Sequence, residues 1–272
     1  MWRVRAGHVV LATGAHERPL VFGNNDLPGV MLSSAMADYA ELYGVRVGKQ
    51  IVLLTTNDSA YADARLLQAA GATVTVVDTR PGEPAGGSRA QLAQKDGITV
   101  LRGFVPVQAK GGGVVSAVLV RQMVADKASG ETRELPCDAL GMAGGWNPAI
   151  HLYSHSGGKA RWDDAAVCFK PGNPMPEQVS VGACNATFGM GSSLDEGSLA
   201  GAAAATQSGF NAKAEAYAVD EMGIEAIGRF WIAETGEPLS RRPKAFVDYQ
   251  NDVSASDIEL AIREGFESIE HI

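Results

Sequence analysis

Residues 51–78, IVLLTTNDSAYADARLLQAAGATVTVVD, contain the pattern that decides the fold. The apolar run Ile51–Leu54 predicts a buried strand, and Ser59–Ala70 has the apolar spacing of a helix that Gly71 closes. The β-branched run Thr73–Val77 then predicts a second strand. Because the connection between the two strands is one helix, we expect them to be parallel neighbours in one sheet.

The flanking sequence extends this βαβ unit into a larger α/β fold, with strands at apolar runs and helices at segments of helical spacing. The strand predicted at His8–Ala12 is expected to be buried, and those at Gly103–Gln108 and Val114–Met123 are expected to form an antiparallel pair around residues 111–113. The other predicted strands are Ile98–Leu101, Asp138–Ala143 and Val179–Ala183, the last of them taken as the final strand. The further predicted helices are Ser33–Tyr43 with Ser33 or Ser34 as N-cap, Gln91–Lys95, and Leu194–Gln207 with Ser192 or Ser193 as N-cap. Residues 149–178 are expected to be irregular.

Composition excludes several classes of protein. Hydrophobic residues make up 46% of the 272 residues, which is enough for a buried core, and the net charge of −8 argues against nucleic acid as a partner. No apolar run reaches the roughly 18 residues of a transmembrane helix, and no signal peptide is recognisable. The cysteines Cys137, Cys168 and Cys184 lack the spacing of a disulfide framework, a redox pair or a zinc site, which favours a reducing cytoplasm.

The first candidate site is the turn Ala12, Thr13, Gly14 and Ala15, which follows the first predicted strand. Ligands of open α/β sheets bind outside the carboxyl ends of the strands. Gly14 would let the backbone approach a ligand without a Cβ between them, and Thr13 offers a hydroxyl. An ordinary glycine turn explains the same residues, so both interpretations stay open at this point.

The second candidate is the turn after Ile51–Leu54, which has the position of a phosphate-binding turn without its sequence. Such a turn is written Gly-x-Gly-x-x-Gly/Ala, and only Ala60 matches it. Thr55 and Asn57 replace the two glycines, and their side chains would crowd a dinucleotide. Asp78 ends the next strand at the distance of a ribose-binding carboxylate. We expect a structural relic of a nucleotide site.

The third candidate is the glycine-rich segment Asn185–Gly197 before the Ala-rich helix, because helix N-termini favour anions. Asp195 and Glu196 would repel phosphate there. Helix capping without any ligand explains the same residues equally well. The sequence contains no Gly-x-Ser-x-Gly elbow, and no catalytic residue is predicted.

In the C-terminal segment, Ser254 and Asp257 match a capping box, with Gly265 ending the helix. The apolar stripe of this helix is Ile258, Ala261 and Ile262. We assign Asp248, Asp252 and Asp257 to turns and caps, and predict no metal site.

Four stretches together resemble the alpha subunit of heterotetrameric sarcosine oxidases. They are VVLATGAHERPLVFGNNDLPGVM at 9–31, TTNDSAYADARLLQAAGATVTVVDTR at 55–80, AGGWNPAIHLYSHSGGK at 143–159 and FVDYQNDVSASDIELAIREGFESIEH at 246–271. The resemblance implies a Rossmann-like FAD/NAD(P)-binding α/β fold from the centre of a longer subunit. Its parts would be the end of an incomplete first dinucleotide domain (1–23), an inserted second βαβ domain (24–148), a return to the first domain (149–215), and a linker with a small helical segment (216–272).

The same resemblance implies a function. Such complexes oxidise sarcosine to glycine, reduce O2 to H2O2, and pass the one-carbon unit to tetrahydrofolate or release it as formaldehyde. NAD would bind this subunit without taking part in turnover, with FMN at the alpha–beta interface and FAD in beta. The partners would be the beta, gamma and delta subunits, and tetrahydrofolate would bind a downstream domain. The positions that match the family's dinucleotide motif are Ala12, Thr13, Gly14 and Ala15, and more loosely Gly182 and Ala183.

One departure separates the chain from relatives with an iron–sulfur segment. Asp248 and Gln250 stand at the two thiolate positions before Val253, and iron–sulfur clusters require thiolate ligands. We therefore predict no cluster, which favours the oxidase branch. The alternatives are a subunit of an FAD/NAD(P)-dependent amine or opine dehydrogenase, and a non-catalytic scaffold. We expect the isolated chain to be inactive.

Overall fold

The computed structural model describes residues 2–271, apart from the side chain at position 270. The described chain forms two compact units. Unit 1 contains residues 2–17 and 146–226, and unit 2 contains residues 18–145 and 227–271. The division into dinucleotide domains stays a prediction. Within the described residues, no helix combines the length and apolar character needed to cross a bilayer.

The two units are α/β in content, which confirms the predicted fold class. The strands in chain order are β1 Val9–Leu11, β2 Ala15–Glu17, β3 Val30–Leu32, β4 Gln50–Thr55, β5 Thr73–Asp78, β6 Thr99–Arg102, β7 Phe104–Lys110, β8 Ala117–Val124, β9 Lys127–Pro136, β10 Ala139–Ala143, β11 Trp146–Pro148, β12 Ala160–Asp163, β13 Cys168–Pro171, β14 Gln178–Ser180, β15 Phe246–Asp248 and β16 Val253–Ser254. The α-helices are α1 Ser33–Tyr43, α2 Ser59–Ala69, α3 Arg89–Lys95, α4 His151–His155, α5 Met190–Gln207 and α6 Ala255–Arg263.

Unit 2 is built on a parallel sheet with the strand order β3-β10-β4-β5-β6. The predicted βαβ unit is confirmed, because β4 and β5 pair in parallel from Gln50↔Thr73 to Thr55↔Asp78 and α2 connects them. Strand β10 lies between β3 and β4 and is parallel to both. The carboxyl ends of these strands therefore meet at one edge of the sheet.

Both faces of this sheet are buried. Side chains alternate along β4, so Ile51 and Leu53 join the apolar cluster beneath the helices α1, α2 and α3. Val52 and Leu54 point the other way, into the cluster shared with the antiparallel strands β7, β8 and β9. Burial on both faces explains why the strand appears in the sequence as a continuous apolar run.

The antiparallel pair predicted around residues 111–113 is confirmed as β7 and β8, where Val105 lies opposite Arg121. Strand β9 was not predicted. Its sequence, KASGETRELP, is mostly polar; among the described strands β9 pairs only with β8, and much of it is exposed to solvent. The backbone hydrogen bonds to β8 form this strand, and they leave no apolar pattern in the sequence.

Helix α1 has the predicted bounds but a different N-cap residue. Leu32 is the N-cap residue, so the prediction of Ser33 or Ser34 as N-cap is wrong. The Ser33 hydroxyl donates instead to the carboxylate of Asp63 on α2. Gly44 ends the helix with a left-handed φ of +63°, as predicted.

Unit 1 contains the parallel pair β1 and β14. The strand predicted at His8–Ala12 exists, but the prediction that it is buried is wrong, because Val9 and Val10 are 39% and 37% exposed. Adjacent strand residues point to opposite faces, so both faces of this two-stranded sheet are partly open.

The strand predicted at Val179–Ala183 ends at Ser180, and Gly182–Asn185 form a 3₁₀ turn. Gly182 has a left-handed φ of +67°, which is incompatible with continuing the strand. This strand is also not the final one, since the hairpin of β15 and β16 follows it.

Residues 149–178 contain α4 and the antiparallel pair β12 and β13, so the prediction that they are irregular is wrong. The hydroxyl of Tyr153 accepts the backbone N–H groups of Gly172 and Asn173 at 3.1 and 2.8 Å. Trp162 and Phe169 pack edge to face across the strands, with ring centroids 5.2 Å apart. These elements are too short for a periodic signal, and such contacts between distant residues hold them.

Helix α5 begins at Met190, earlier than predicted, and Gly189 is its N-cap residue. The prediction that Ser192 or Ser193 caps it is therefore wrong. The backbone N–H groups of Met190 and Gly191 donate to the carboxylate of Glu221 at 2.7 and 3.1 Å. A carboxylate from a distant segment thus takes the place of a local cap.

The C-terminal part of unit 2 contains the β15–β16 hairpin and α6. The predicted capping box of Ser254 and Asp257 is confirmed, and Gly265 follows the helix with a φ of +93°. The apolar stripe of α6 stays partly open, since Ile262 is 61% exposed. Together with Ile258 and Trp231, it lines an open apolar groove of about 410 Å³.

Candidate functional site

The predicted site residues of unit 1 lie at one edge of its parallel strands. Strands β1 and β14 end together, with Leu11 opposite Ser180, and Val181 donates its N–H to the carbonyl of Leu11 at 2.9 Å. Parallel strands have their carboxyl ends on the same side, so the turn at residues 12–15 and the turn at residues 182–185 both leave this edge. The structure therefore brings the two predicted groups to a common place in unit 1.

Within the first turn, Gly14 has no Cβ that would separate the backbone from a ligand. Its φ is +75°, and a Cβ added there would meet no described atom within 4 Å. Thr13 is committed to the protein, because its hydroxyl donates to the Ala149 carbonyl at 2.7 Å. Ala15 begins β2 and pairs with Pro148, while Ala12 joins this turn to β1. The turn thus presents an accessible glycine on a backbone fixed on both sides.

The second turn is more occupied than the sequence suggests. Gly182 donates its N–H to the Glu196 carboxylate at 2.6 Å, and the other oxygen of Glu196 accepts the Asn185 side-chain amide at 2.6 Å. Ala183 lies in the same 3₁₀ turn. Glu196 was predicted only as an anion-repelling residue of the first helical turn. The earlier start of α5 places it further along the helix, where it binds the glycine turn.

The N-terminus of α5, the third candidate site, already holds an anion from the protein itself. The Glu221 carboxylate accepts the N–H groups of Met190 and Gly191, and Gly189 lies close to the same oxygens. No sequence pattern indicated Glu221, because this residue lies in a segment without regular secondary structure. The described contacts favour the capping alternative at this terminus.

The second candidate is the turn between β4 and α2, at the carboxyl edge of the sheet of unit 2. The turn has the position of a phosphate-binding turn, but its backbone N–H groups donate to atoms of the protein. The N–H of Thr56 donates to the Ala143 carbonyl at 3.1 Å, and the N–H of Asn57 donates to the Thr55 hydroxyl at 3.1 Å. The Asn57 side-chain oxygen accepts the N–H of Ser59 at 2.9 Å. In a phosphate-binding turn, such N–H groups point at the ligand. Here Thr55 and Asn57 satisfy the turn themselves.

The carboxylate that would bind ribose is also engaged. Arg80 contacts Asp78 at 2.7 Å and Asp58 at 2.8 Å, and Tyr61 donates its hydroxyl to Asp78 at 2.6 Å. All four side chains are buried, and the Arg102 guanidinium lies 4.0 Å from Asp78. Burial and the nearby Asp78 carboxylate raise the pKa of Tyr61. The cluster balances two carboxylates with two guanidinium groups, and its side chains are at most 8% exposed.

The remaining acidic candidates have structural roles. Asp248 accepts the N–H groups of Gln250 and Asn251 at 2.8 and 3.2 Å, which fixes the turn between β15 and β16. Asp257 completes the capping box. Asp252 takes a left-handed φ of +56° in the same turn. Among the described side chains of residues 2–269 and 271, no three His, Cys, Asp or Glu groups are placed together as metal ligands.

Solved structures show the fold first. The chain superimposes on L-proline dehydrogenase from P. horikoshii with a TM-score of 0.59 at 19% identity, over 95% of this chain and 46% of that one. It superimposes on Lactococcus lactis thioredoxin reductase with a TM-score of 0.51 at 23% identity, over 65% and 57% of the two chains. At these identities the likeness establishes the fold, a Rossmann-like α/β fold shared with oxidoreductases.

Sequence relatives then show which proteins the chain is similar to. The chain is 41% identical to sarcosine oxidase subunit alpha of Corynebacterium sp. (strain P-1), over 100% of this chain and 28% of that protein. It is 39% identical to the same subunit of Rhizobium meliloti (strain 1021), over 99% and 26%. The family model of the sarcosine oxidase A3 domain matches residues 242–272. The chain is homologous throughout to a segment of sarcosine oxidase alpha subunits, which confirms the predicted resemblance.

Proposed function

We propose that this chain is the dinucleotide-binding part of the alpha subunit of a sarcosine oxidase complex. The match to sarcosine oxidase alpha subunits covers 99% to 100% of this chain at 37% to 41% identity, and it supports this proposal. The chain spans 28% of the length of the first of these relatives, so we assign the proposed reaction to the whole complex and not to these residues alone. That assembly would oxidise sarcosine to glycine, reduce O2 to H2O2, and release the methyl carbon as formaldehyde or methylene-tetrahydrofolate.

Within this complex, the proposed role of the chain is to bind NAD in unit 1. Gly14 fits this role, because its left-handed backbone faces open space where a ligand can come close. Thr13, through its bond to Ala149, and Ala15, through its pairing with Pro148, hold that backbone in place, and Ala12 connects it to β1. Gly182 and Ala183, at the end of the neighbouring strand, are proposed to line the crevice rather than bind phosphate, since the Glu196 carboxylate takes the Gly182 N–H.

NAD brings a nicotinamide ring and two phosphates to such a crevice, and we assign it no step in turnover. The chain contributes no catalytic residue to the proposal. FMN at the alpha–beta interface and FAD in beta would carry the electrons, with the beta, gamma and delta subunits as partners and tetrahydrofolate on a downstream domain. We propose a cytoplasmic location. No iron–sulfur cluster is included, because Asp248 and Gln250 stand where thiolates are needed.

The test is to produce the full-length alpha subunit together with beta, gamma and delta and to measure sarcosine-dependent O2 uptake and H2O2 formation. Activity with O2 supports the proposal. Activity only with an artificial electron acceptor would favour the amine or opine dehydrogenase alternative. An assembled complex without either activity would favour a scaffold. Residues 1–272 alone should be colourless and should oxidise no amine, so a yellow or active preparation would contradict the assignment of the chemistry to beta.

A further inference from the structure

A short segment of unit 2, residues 227–230, crosses the carboxyl ends of β4 and β5. We call this segment the strap. Gly228 donates its N–H to the carbonyl of Thr56 at 2.7 Å, at the turn where a dinucleotide fold binds phosphate. A Cβ on Gly228 would lie 2.9 Å from the Arg80 side chain and 3.0 Å from the Thr79 hydroxyl. The strap therefore contacts the ends of both strands, with glycine at its closest approach.

The strap is anchored on its C-terminal side. Phe230 is buried in the apolar cluster that contains Val105 and the strands β7 and β8. Four residues beyond it, the carbonyl of Glu234 accepts the N–H of Ala128 at 3.1 Å. Lifting the strap would expose the Phe230 ring and break backbone hydrogen bonds of the same unit. The position of the strap is thus part of the fold.

The space that remains beside the strap is small. The cavity there has a volume of about 260 Å³ and is lined by Thr79, Arg80, Asp126, Arg229 and apolar neighbours. Small-molecule sites usually measure about 300–1,000 Å³, and a dinucleotide is a large ligand among them. The turn residues Thr56, Asn57 and Asp58 are all at most 5% exposed. A dinucleotide therefore lacks both the volume and the access to the turn.

From these contacts we infer that the strap is a built-in occupant of the second dinucleotide crevice, which closes unit 2 to dinucleotides. Three features act together: Gly228 covers the turn, the turn residues bind one another, and Asp78 is held by Arg80 and Tyr61. With the proposed function, on which this step rests, it follows that the chain has a single NAD site, in unit 1. The strap replaces a ligand that related folds bind at this edge.

The test uses the full-length alpha subunit in its complex, with NAD titrated by calorimetry after removal of endogenous nucleotide. One NAD per alpha subunit is expected. Gly14→Val should weaken it roughly tenfold to 100-fold, because valine is strained at positive φ. Two NAD per alpha subunit, or one site of unchanged affinity in Gly14→Val, would overturn the single-site inference.

Hydrogen exchange tests the strap independently of NAD. The Gly228 amide should exchange roughly 100-fold or more slowly than the amide of Gly223, where an added Cβ has open space. Gly228→Val should remove this protection, whereas Gly223→Val should leave it unchanged. Equal exchange of the two wild-type amides would overturn the inference even if Gly228→Val fails to fold. Absence of NAD binding together with a protected Gly228 would contradict the proposed function and leave the closed crevice standing.

Discussion

Tyr61 donates its hydroxyl to Asp78 at 2.6 Å, and both side chains are inaccessible to solvent. A carboxylate at the end of the second strand of a dinucleotide fold ordinarily binds a ribose hydroxyl. Here a phenol from α2 supplies the hydroxyl, and Arg80 binds the same carboxylate. Asp78, at a position that binds ligand in other dinucleotide folds, is therefore part of the buried core of unit 2.

Removing this hydroxyl should destabilise the protein. Tyr61→Phe leaves a buried carboxylate with one donor fewer, and hydrogen bonds to charged groups contribute about 1.5–3 kcal/mol. Urea unfolding should show a loss of that order. Tyr39→Phe is the matched control, since Tyr39 is exposed, and should change the free energy of unfolding by less than about 0.5 kcal/mol. Equal effects of the two variants would contradict the role given to the contact.

The raised pKa of Tyr61 also predicts a pH dependence. Burial is the main cause and the Asp78 carboxylate the second, and both disfavour the tyrosinate. The folded protein therefore binds this proton more tightly than the unfolded chain does. The resulting stability is fully present below the unfolded tyrosine pKa of about 10 and declines as the pH rises above it. Ultraviolet titration should show Tyr61 ionising only on unfolding, and its ionisation in the folded state would contradict this.

Arg80 should be the most sensitive charged residue of unit 2. Arg80→Met leaves Asp58 and Asp78 buried without their shared partner, and breaking a buried pair in this way costs about 3–5 kcal/mol. The control is Arg65→Met, which removes an exposed ion pair with Asp96 that contributes only about 0–1 kcal/mol. Thermal and urea unfolding of both variants give the comparison. Similar losses of unfolding free energy in the two variants would show that the buried cluster does not stabilise the carboxyl edge of the unit 2 sheet.

The sequence predicted the centre of unit 2 well because burial on both faces leaves a continuous apolar run, as in Ile51–Leu54. It failed where distant contacts form the structure. Strand β9 is polar and pairs through its backbone, and residues 149–178 depend on Tyr153 reaching Gly172 and Asn173. Local patterns carry no information about such contacts, so these elements could not be predicted from spacing alone.

Among the candidate sites too, features within one short motif were predictable and features formed by distant contacts were not. The loss of the phosphate-binding turn was predictable, since Thr55 and Asn57 replace glycines within one short motif. Two contacts of unit 1 could not be predicted, the hydrogen bond of Gly182 to Glu196 and that of the α5 N-terminus to Glu221. Both depend on the residue at which α5 begins. The strap at Gly228 lies far from the turn in sequence and has no local signature. Ligand-binding residues of unit 1 therefore stay a proposal, to be tested through Gly14.

Asp163 should titrate far below an ordinary aspartate. Its carboxylate pairs with Lys170 across β12 and β13 and accepts the N–H of Ala166, which together lower its pKa to about 2. The folded protein therefore binds this proton less tightly than the unfolded chain. The associated stability is present above pH ~4 and is lost as the pH falls towards 2. Carboxyl NMR should show the low midpoint, and Lys170→Met should raise it. A midpoint near 3.9 in the wild type would contradict the pairing.

Restoring the glycines of the second turn should not restore a dinucleotide site. In Thr55→Gly with Asn57→Gly, the predicted crowding is removed, but Gly228 still covers Thr56 and Arg80 still holds Asp78. The variant also loses the bonds from Asn57 to Ser59 and Ala143, so its stability should fall by about 1–3 kcal/mol. Calorimetry with NAD should show no binding beyond that of the wild type. A large gain in affinity would mean that side-chain crowding alone had closed the crevice, and the strap would then be a lid that a ligand can displace.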